Sequence, residues 1–199
     1  GKAISNLHQG LKLCSAVELN ASHMDIKSQL KDWAMPVTQK LEPMTVGIIK
    51  YLDTCFIPII EDLPHQVIHR DAHPMNMLFE EEEGEVTGLI DFDQVTYGIR
   101  IFDPCYCSTA ILMQLFKERE QRDQWFQLYS ELLMGYQSGI QLTEHEKNAL
   151  FPVLLSIQFI FIAYFKDIDE SVAKLNIDGL MWLYEHREQH IIQHNSARE

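Results

Sequence analysis

The sequence predicts a mainly α-helical protein carrying one small β-hairpin. Two observations support this. Apolar residues recur at three- and four-residue spacing through most of the chain, and short β-like runs are confined to residues 66–90. With 199 residues, 46% of them hydrophobic and 23% charged, the chain can bury a substantial core.

Residues 2–19 place Ile4, Leu7, Leu11 and Cys14 at helical spacing. A second helix is expected over 24–34, with Leu30 and Trp33 facing inward and Pro36 ending it. Pro43 suits the first turn of the next helix. There Ile49, Leu52, Phe56, Ile59, Ile60 and Leu63 form one stripe, with a kink at Pro58. Gln66 to Ile68 reads as a strand, and Asn76 to Phe79 and Val86 to Ile90 read as the two arms of a hairpin. Its turn, Glu80 to Glu85, is a run of glutamates best explained as a solvated tip. Asp103-Pro104 reads as a helix start, Asp as the cap and Pro at the first helical position, with the helix running to about Glu118. Residues 122–136 carry Trp125, Leu128, Tyr129, Leu132 and Tyr136 on one face, with Gly135 and Gly139 at the exit. Thr143 and Glu146 form a capping box for a further helix, which Pro152 is expected to divide from an apolar helix ending near Phe165. The last helix includes Leu180, Leu183 and Ile191.

The formal net charge of −13 argues against nucleic-acid or anionic-membrane partners. An acidic surface suits a cationic substrate, but acidic cytosolic proteins are common. Cysteines 14, 55, 105 and 107 lack a disulfide framework, and Cys105 and Cys107 point apart on a helix. Free thiols and no signal-peptide pattern fit a cytoplasmic protein. The apolar run near 149–165 is interrupted by Pro152, Ser156 and Gln158, so it reads as a core helix and not a membrane span.

The chemistry-bearing stretch runs from Val67 to Asp103. Asp71, Asn76 and Asp91 stand out against apolar surroundings, each beside a short β-like run. Phosphoryl transfer needs a carboxylate to orient a hydroxyl and accept its proton, plus oxygen ligands for Mg²⁺ at the nucleotide phosphates. Asp71 has the right chemistry for the first task. Asn76 and Asp91 have it for the second, because Mg²⁺ takes a few hard oxygen ligands. His69-Arg70-Asp71, an Asn five residues later and a following Ile90-Asp91 reproduce the spacing of a kinase catalytic loop and its metal-binding Asp.

His69-Arg70-Asp71-Ala72-His73-Pro74-Met75-Asn76, Leu89-Ile90-Asp91-Phe92-Asp93 and the Gly98 to Asp103 stretch resemble the catalytic lobe of the aminoglycoside phosphotransferase and choline kinase family of small-molecule kinases. The resemblance covers roughly 65–108. His-Pro between the catalytic Asp and the Asn is typical of these enzymes, and Asp93 stands where protein kinases have Gly. The resemblance implies the C-terminal lobe of the protein-kinase-like fold, ATP and Mg²⁺ as cofactors, and a small-molecule hydroxyl as acceptor. It also implies that an N-terminal lobe supplies a phosphate-covering loop and a Lys. Residues 1–68 read as helices without a Gly-rich loop or a strand lysine, and Gly1 stands in place of an initiator Met. The expectation is therefore one C-terminal lobe over 1–199, with the N-terminal lobe absent. Its catalytic and metal-binding segment covers 65–108 and a helical substrate-side part covers 109–199. Such a fragment is expected to turn over poorly alone.

Two other functions compete. His69-x-Asp71-x-His73 with Asp91 resembles a ligand cluster of a metal-dependent hydrolase, although further ligands at recognisable spacing are lacking. A non-catalytic binding lobe is the third reading, disfavoured by the intact Asp71, Asn76 and Asp91. Blander roles compete at each residue. Asp71 is also a candidate turn cap and Asn76 a strand start. Asp91 ends an apolar strand, where a buried unpaired carboxylate is costly unless a cation binds it. Asp93 reads either as support for the site or as a solvated turn residue. His69 braces the loop, Arg70 pairs with a carboxylate, His73 fixes the loop, and Asp103 caps its helix. Trp125, Tyr129, Tyr164, Trp182 and Tyr184 are read as core, with an aromatic cage for the acceptor as the sharper alternative. His145, His186, His190 and His194 are read as surface residues.

Overall fold

A computed structural model describes residues 1–14, 22–80 and 84–189. In chain order its elements are α1 (Lys2–Leu11), β1 (Ser22–His23), α2 (Ile26–Ser28), α3 (Met35–Leu41), α4 (Val46–Cys55), β2 (His65–Ile68), β3 (Met77–Phe79), β4 (Val86–Leu89), β5 (Thr96–Ile99), α5 (Phe102–Leu115), α6 (Arg119–Asp123), α7 (Trp125–Gln137), α8 (Glu144–Phe165) and α9 (Glu170–Glu185). Among the described residues the protein is mostly helical with two small sheets. Backbone contacts divide it into two compact units. The first holds Gly1–Met24 and Pro64–Thr143, the second Asp25–Leu63 and Glu144–Glu199.

In the first unit, α1 buries Ile4, Ser5, His8 and Leu11 and packs on α7, β2 and β4. It stops at Leu11; Cys14 is exposed, and the rest of the expected 2–19 helix lies outside the described residues. The hairpin β3–β4 forms as expected, with a register shift at Leu78/Phe79. Glu80 N–H donates to Glu85 O, and Gly84 takes φ +67°, the left-handed conformation that glycine enters without steric cost. The other sheet runs β1-β5-β2, with β5 antiparallel to β2 and parallel to β1. β1 and β5 were not expected from sequence: they have two and four residues, and their pairing is set by strands far away in the chain.

α5 packs on α7, where Trp125 is fully buried, stacks on Tyr129 at 5.1 Å and donates from Nε1 to Ser108 O at 2.8 Å. Leu128, expected on the buried face, is exposed, and the single helix expected over 122–136 is split into α6 and α7 at Gln124. Gly135 lies inside α7 and not at its exit. Cys105 and Cys107 are buried free thiols on α5, and burial pushes Cys107 up to about 11.

In the second unit, Pro36 does not end a helix. The chain stays helical from Ile26 to Leu41 because Gln29–Ala34 winds as a π-helix, with Met35 N–H donating to Leu30 O. That wider winding accommodates the proline ring. It also turns Trp33 outward, while Leu30 is fully buried. Asp25 caps this stretch, accepting from Ser28 N–H at 2.9 Å and Ser28 Oγ–H at 2.7 Å. Asp25→Ala is expected to lower unfolding stability by about 1 kcal/mol, read by urea denaturation.

Pro43 opens a 3₁₀ turn that runs into α4, whose buried stripe is Ile48, Leu52 and Phe56, continuing to Ile57, Ile60 and Leu63. Ile49 and Ile59 lie beside this stripe, half-buried. A kink was expected at Pro58; there the chain switches from α4 to a 3₁₀ helix over Ile57–Asp62. Pro152 likewise fails to divide its helix: α8 is continuous for 22 residues. Burial along α8 outweighs the missing N–H, and Ser156 Oγ–H bonds to Pro152 O at 2.7 Å. By length and composition α8 and the segment Pro43–Asp62 are each apolar enough to cross a bilayer, but 72% of the apolar window of α8 is buried in the protein. α9 packs on α8 and buries Leu180 and Leu183; Ile191, His190 and His194 lie outside the described residues. Trp182 is buried as expected, whereas Tyr164 is exposed.

Candidate active site

The site belongs to the first unit and is built around the loop after β2. β2 ends at Ile68, and His69 is fully buried. Arg70 then adopts φ +69°, a left-handed conformation that costs a non-glycine residue roughly 1–2 kcal/mol. Asp103 holds the loop there. Its Oδ2 accepts from His69 N–H and its Oδ1 from Arg70 N–H, both at 2.8 Å. Oδ2 also meets His8 Nε2 at 2.8 Å, and His8 Nδ1 meets the Tyr136 hydroxyl at 2.8 Å. The His8 imidazole thus bridges the Asp103 carboxylate and the Tyr136 hydroxyl. Both His8 and Asp103 are fully buried.

Asp103 is therefore not a helix cap. Ile101 occupies the N-cap position, and the Asp103 side chain points into the loop. A buried carboxylate needs several donors, and two backbone N–H groups with an imidazole supply them.

His69 braces the loop as expected. Its Nδ1 accepts from Asp71 N–H at 3.3 Å and its Nε2 donates to Ile90 O at 3.0 Å, with Phe92 against the ring at 4.6 Å. Ile90 N–H in turn donates to Asn76 O at 3.0 Å. Both backbone groups of Ile90 are thus tied to the loop, which fixes the approach of the next residue, Asp91.

Asp71 and Asn76 are brought together. Asn76 Nδ2 donates to Asp71 Oδ2 and to Asp71 O, each at 3.0 Å. Tyr106 O–H donates to Asp71 Oδ1 at 2.6 Å, and His73 Nε2 stands 3.5 Å from the same oxygen. Burial, and then the bond to Asp71, push the Tyr106 hydroxyl well above its ordinary pKa. The Asp71 side chain keeps 24% exposure, enough for an incoming molecule to reach it. His73 also fixes the loop, its Nδ1 accepting from Met75 N–H at 3.1 Å.

Asp91 has φ +64° and ψ +68° and is exposed. The burial cost expected for it does not arise. What sets it apart is a strained backbone at a non-glycine residue, a feature that clusters at functional positions. Among the described residues its carboxylate takes no hydrogen bond, and neither does Asn76 Oδ1, whose own Nδ2 is turned to Asp71. Two hard oxygen donors left unengaged on neighbouring, tethered segments fit Mg²⁺. Asp93 is exposed in a 3₁₀ turn, a solvated turn residue. Arg70 forms no ion pair with a carboxylate among the described residues; its backbone, not its guanidinium, makes the contact.

The hydrolase cluster does not assemble. Both nitrogens of His69 are engaged within the loop, and no group of three or more His, Cys, Asp or Glu able to hold a metal occurs among the described residues.

Sequence reasoning missed Tyr106 and His8. Tyr106 carried a faint signal, lying three residues after Asp103 on the same helix face. His8 carried none beyond a polar residue on an otherwise apolar stripe.

Residues 1–139 match the family model described as Phosphotransferase enzyme family, APH. The chain belongs to that family of phosphotransferases. It is 29% identical over 153 residues to a homoserine kinase of Gluconobacter oxydans, covering 75% of this chain and 46% of that protein. A homoserine kinase of Chelativorans sp. is 30% identical over 160 residues, covering 77% and 46%. A hydroxylysine kinase of Xenopus laevis is 26% identical over 133 residues, covering 62% and 34%. The chain thus spans about half the length, or less, of these relatives. The fold is shared with the GDP complex of wild-type aminoglycoside 2'-phosphotransferase-IIIa, with a TM-score of 0.65, 15% identity, and coverage of 92% of this chain and 60% of that one.

Proposed function

We propose that this chain is the catalytic lobe of an ATP-dependent kinase that phosphorylates a hydroxyl group of a small amino-acid-like molecule. The observation that carries the reading is Asp71, part-exposed, gripped by Asn76 and Tyr106, and standing on a loop clamped by Asp103. The carboxylate orients the acceptor hydroxyl and takes its proton while the acceptor oxygen bonds to the γ-phosphorus. The bond from that phosphorus to the nucleoside diphosphate oxygen breaks, and the diphosphate leaves. Asn76 Oδ1 and Asp91 would hold Mg²⁺, which when bound neutralises charge on the phosphates.

Two further observations support the reading. Leu78, Phe79, Ile90 and Phe92 are exposed on and beside the hairpin, a surface suited to a nucleotide base and to covering chain. The relatives are also longer, which leaves room for an N-terminal lobe supplying the phosphate-gripping Lys. The relatives are named as kinases of homoserine and hydroxylysine, both amino acids with a free hydroxyl, which supports an acceptor of that class. The free thiols fit a reducing, cytoplasmic setting.

The test uses the full-length gene product containing this sequence. It is incubated with Mg²⁺, ATP or GTP, and a panel headed by L-homoserine and hydroxylysine, and phosphorylated acceptor is measured. Phosphorylation requiring both nucleotide and Mg²⁺ is expected. Failure across hydroxyl amino acids, amino alcohols and aminoglycosides would sink the proposal.

A further inference from the structure

We propose that Tyr106 is a positioning residue for phosphoryl transfer, its hydroxyl locking the rotation of the Asp71 carboxylate so that a lone pair faces the acceptor. This inference rests on the reading of Asp71 as the base.

The argument starts from the carboxylate. It offers about four lone-pair sites on two oxygens, and its terminal torsion is intrinsically broad. A base is useful only when a lone pair stands within hydrogen-bond reach of the proton it takes. One donor would leave the group free to swing about that contact. Here each oxygen has its own donor: Asn76 Nδ2 at 3.0 Å on Oδ2 and Tyr106 O–H at 2.6 Å on Oδ1. His73 Nε2, at 3.5 Å, is too far for a strong bond. Two donors on two oxygens fix the plane of the group and leave lone pairs over for an incoming hydroxyl.

The Tyr106 contact has the length of a charge-assisted O–H···O⁻ bond. Its donor is itself held. Phe102 stacks on the Tyr106 ring at 5.8 Å and 24°, and His73 lies against it at 6.2 Å. Thr109 Oγ–H bonds to Tyr106 O at 2.9 Å. Asp103, three residues earlier on α5, holds the loop backbone at His69 and Arg70. One helix therefore sets both the path of the loop and the attitude of its carboxylate. The raised pKa of the hydroxyl keeps it a donor throughout the physiological range.

Asn76 does not share this role equally. Its Nδ2 is divided between Asp71 O and Oδ2, and its Oδ1 is directed to metal in the reading above. The one hydroxyl proton of Tyr106 goes to the Asp71 carboxylate.

The experiment compares wild type, Tyr106→Phe and Asp71→Ala in the full-length gene product. Turnover is followed with MgATP and L-homoserine or hydroxylysine, or with water as acceptor where neither is phosphorylated. Tyr106→Phe keeps the ring contacts with Phe102 and His73 and removes the hydroxyl that donates to Asp71. It is expected to lower kcat about ten- to a hundredfold with the KM for ATP unchanged. An inactive Asp71→Ala beside a Tyr106→Phe enzyme with full kcat would overturn the positioning role and leave the base intact. Activity retained by Asp71→Ala would overturn the base and this inference with it. A second readout needs no turnover. With 3-fluorotyrosine incorporated, the ¹⁹F resonance lost in Tyr106→Phe is expected to shift in Asp71→Ala, and a resonance that stays in place would rule out the contact.

Discussion

Replacing Asp71 with alanine is expected to reduce phosphoryl transfer by about 10²–10⁴-fold while the protein stays folded. The rate loss follows from the proposed role of Asp71 in taking the acceptor proton. The preserved fold follows from location: the Asp71 side chain is 24% exposed, so Asn76 and Tyr106 can exchange their lost acceptor for water. Steady-state turnover and a thermal melt of the same preparation check the two halves together. Turnover within tenfold of wild type would remove Asp71 from the chemistry. A collapsed melt would mean that the loop depends on it structurally.

Asp103→Ala is expected to do the opposite in stability, lowering it by roughly 3–5 kcal/mol. The substitution strands three donors at once: the buried His69 N–H and His8 Nε2, and the part-buried Arg70 N–H. Water has no ready access, because His8 and Asp103 are fully buried. Asp103→Asn should lose less, since its amide oxygen still accepts while its NH₂ faces a donor. Guanidinium unfolding, with the midpoint and slope fitted separately, measures both variants. An alanine variant within 1 kcal/mol of wild type would show that the clamp is dispensable to the fold.

How much of this was legible in the sequence follows from the reach of each contact. Asp71 and Asn76 lie five residues apart on one loop, so their spacing alone announces them. The hairpin was legible because two short β-prone runs flank a local, Gly-containing turn. Asp103 looked like a cap because Asp-Pro before a helix is a strong local signal; its real partners are 34, 33 and 95 residues away. Tyr106, 35 residues from Asp71, was hidden for the same reason. Pro36 and Pro152 misled in the other direction. Local rules end helices at proline, yet a π-helix at 29–34 and heavy burial along α8 override them. Asp91 was expected to be a costly buried carboxylate, yet it is exposed and its peculiarity lies in its backbone angle, which local sequence does not announce.

One consequence of the Asp103 clamp concerns the order in which the molecule assembles. A single carboxylate joins α1, the loop after β2 and α5, so three chain segments must meet before all of its bonds can form. Closing such distant loops is entropically slow and yields nothing until they close. The complete clamp is therefore expected to form late in folding and not as an early local motif. After dilution from denaturant, recovered turnover should lag behind helix content, which makes enzymatic rate a stricter gauge of complete refolding than circular dichroism.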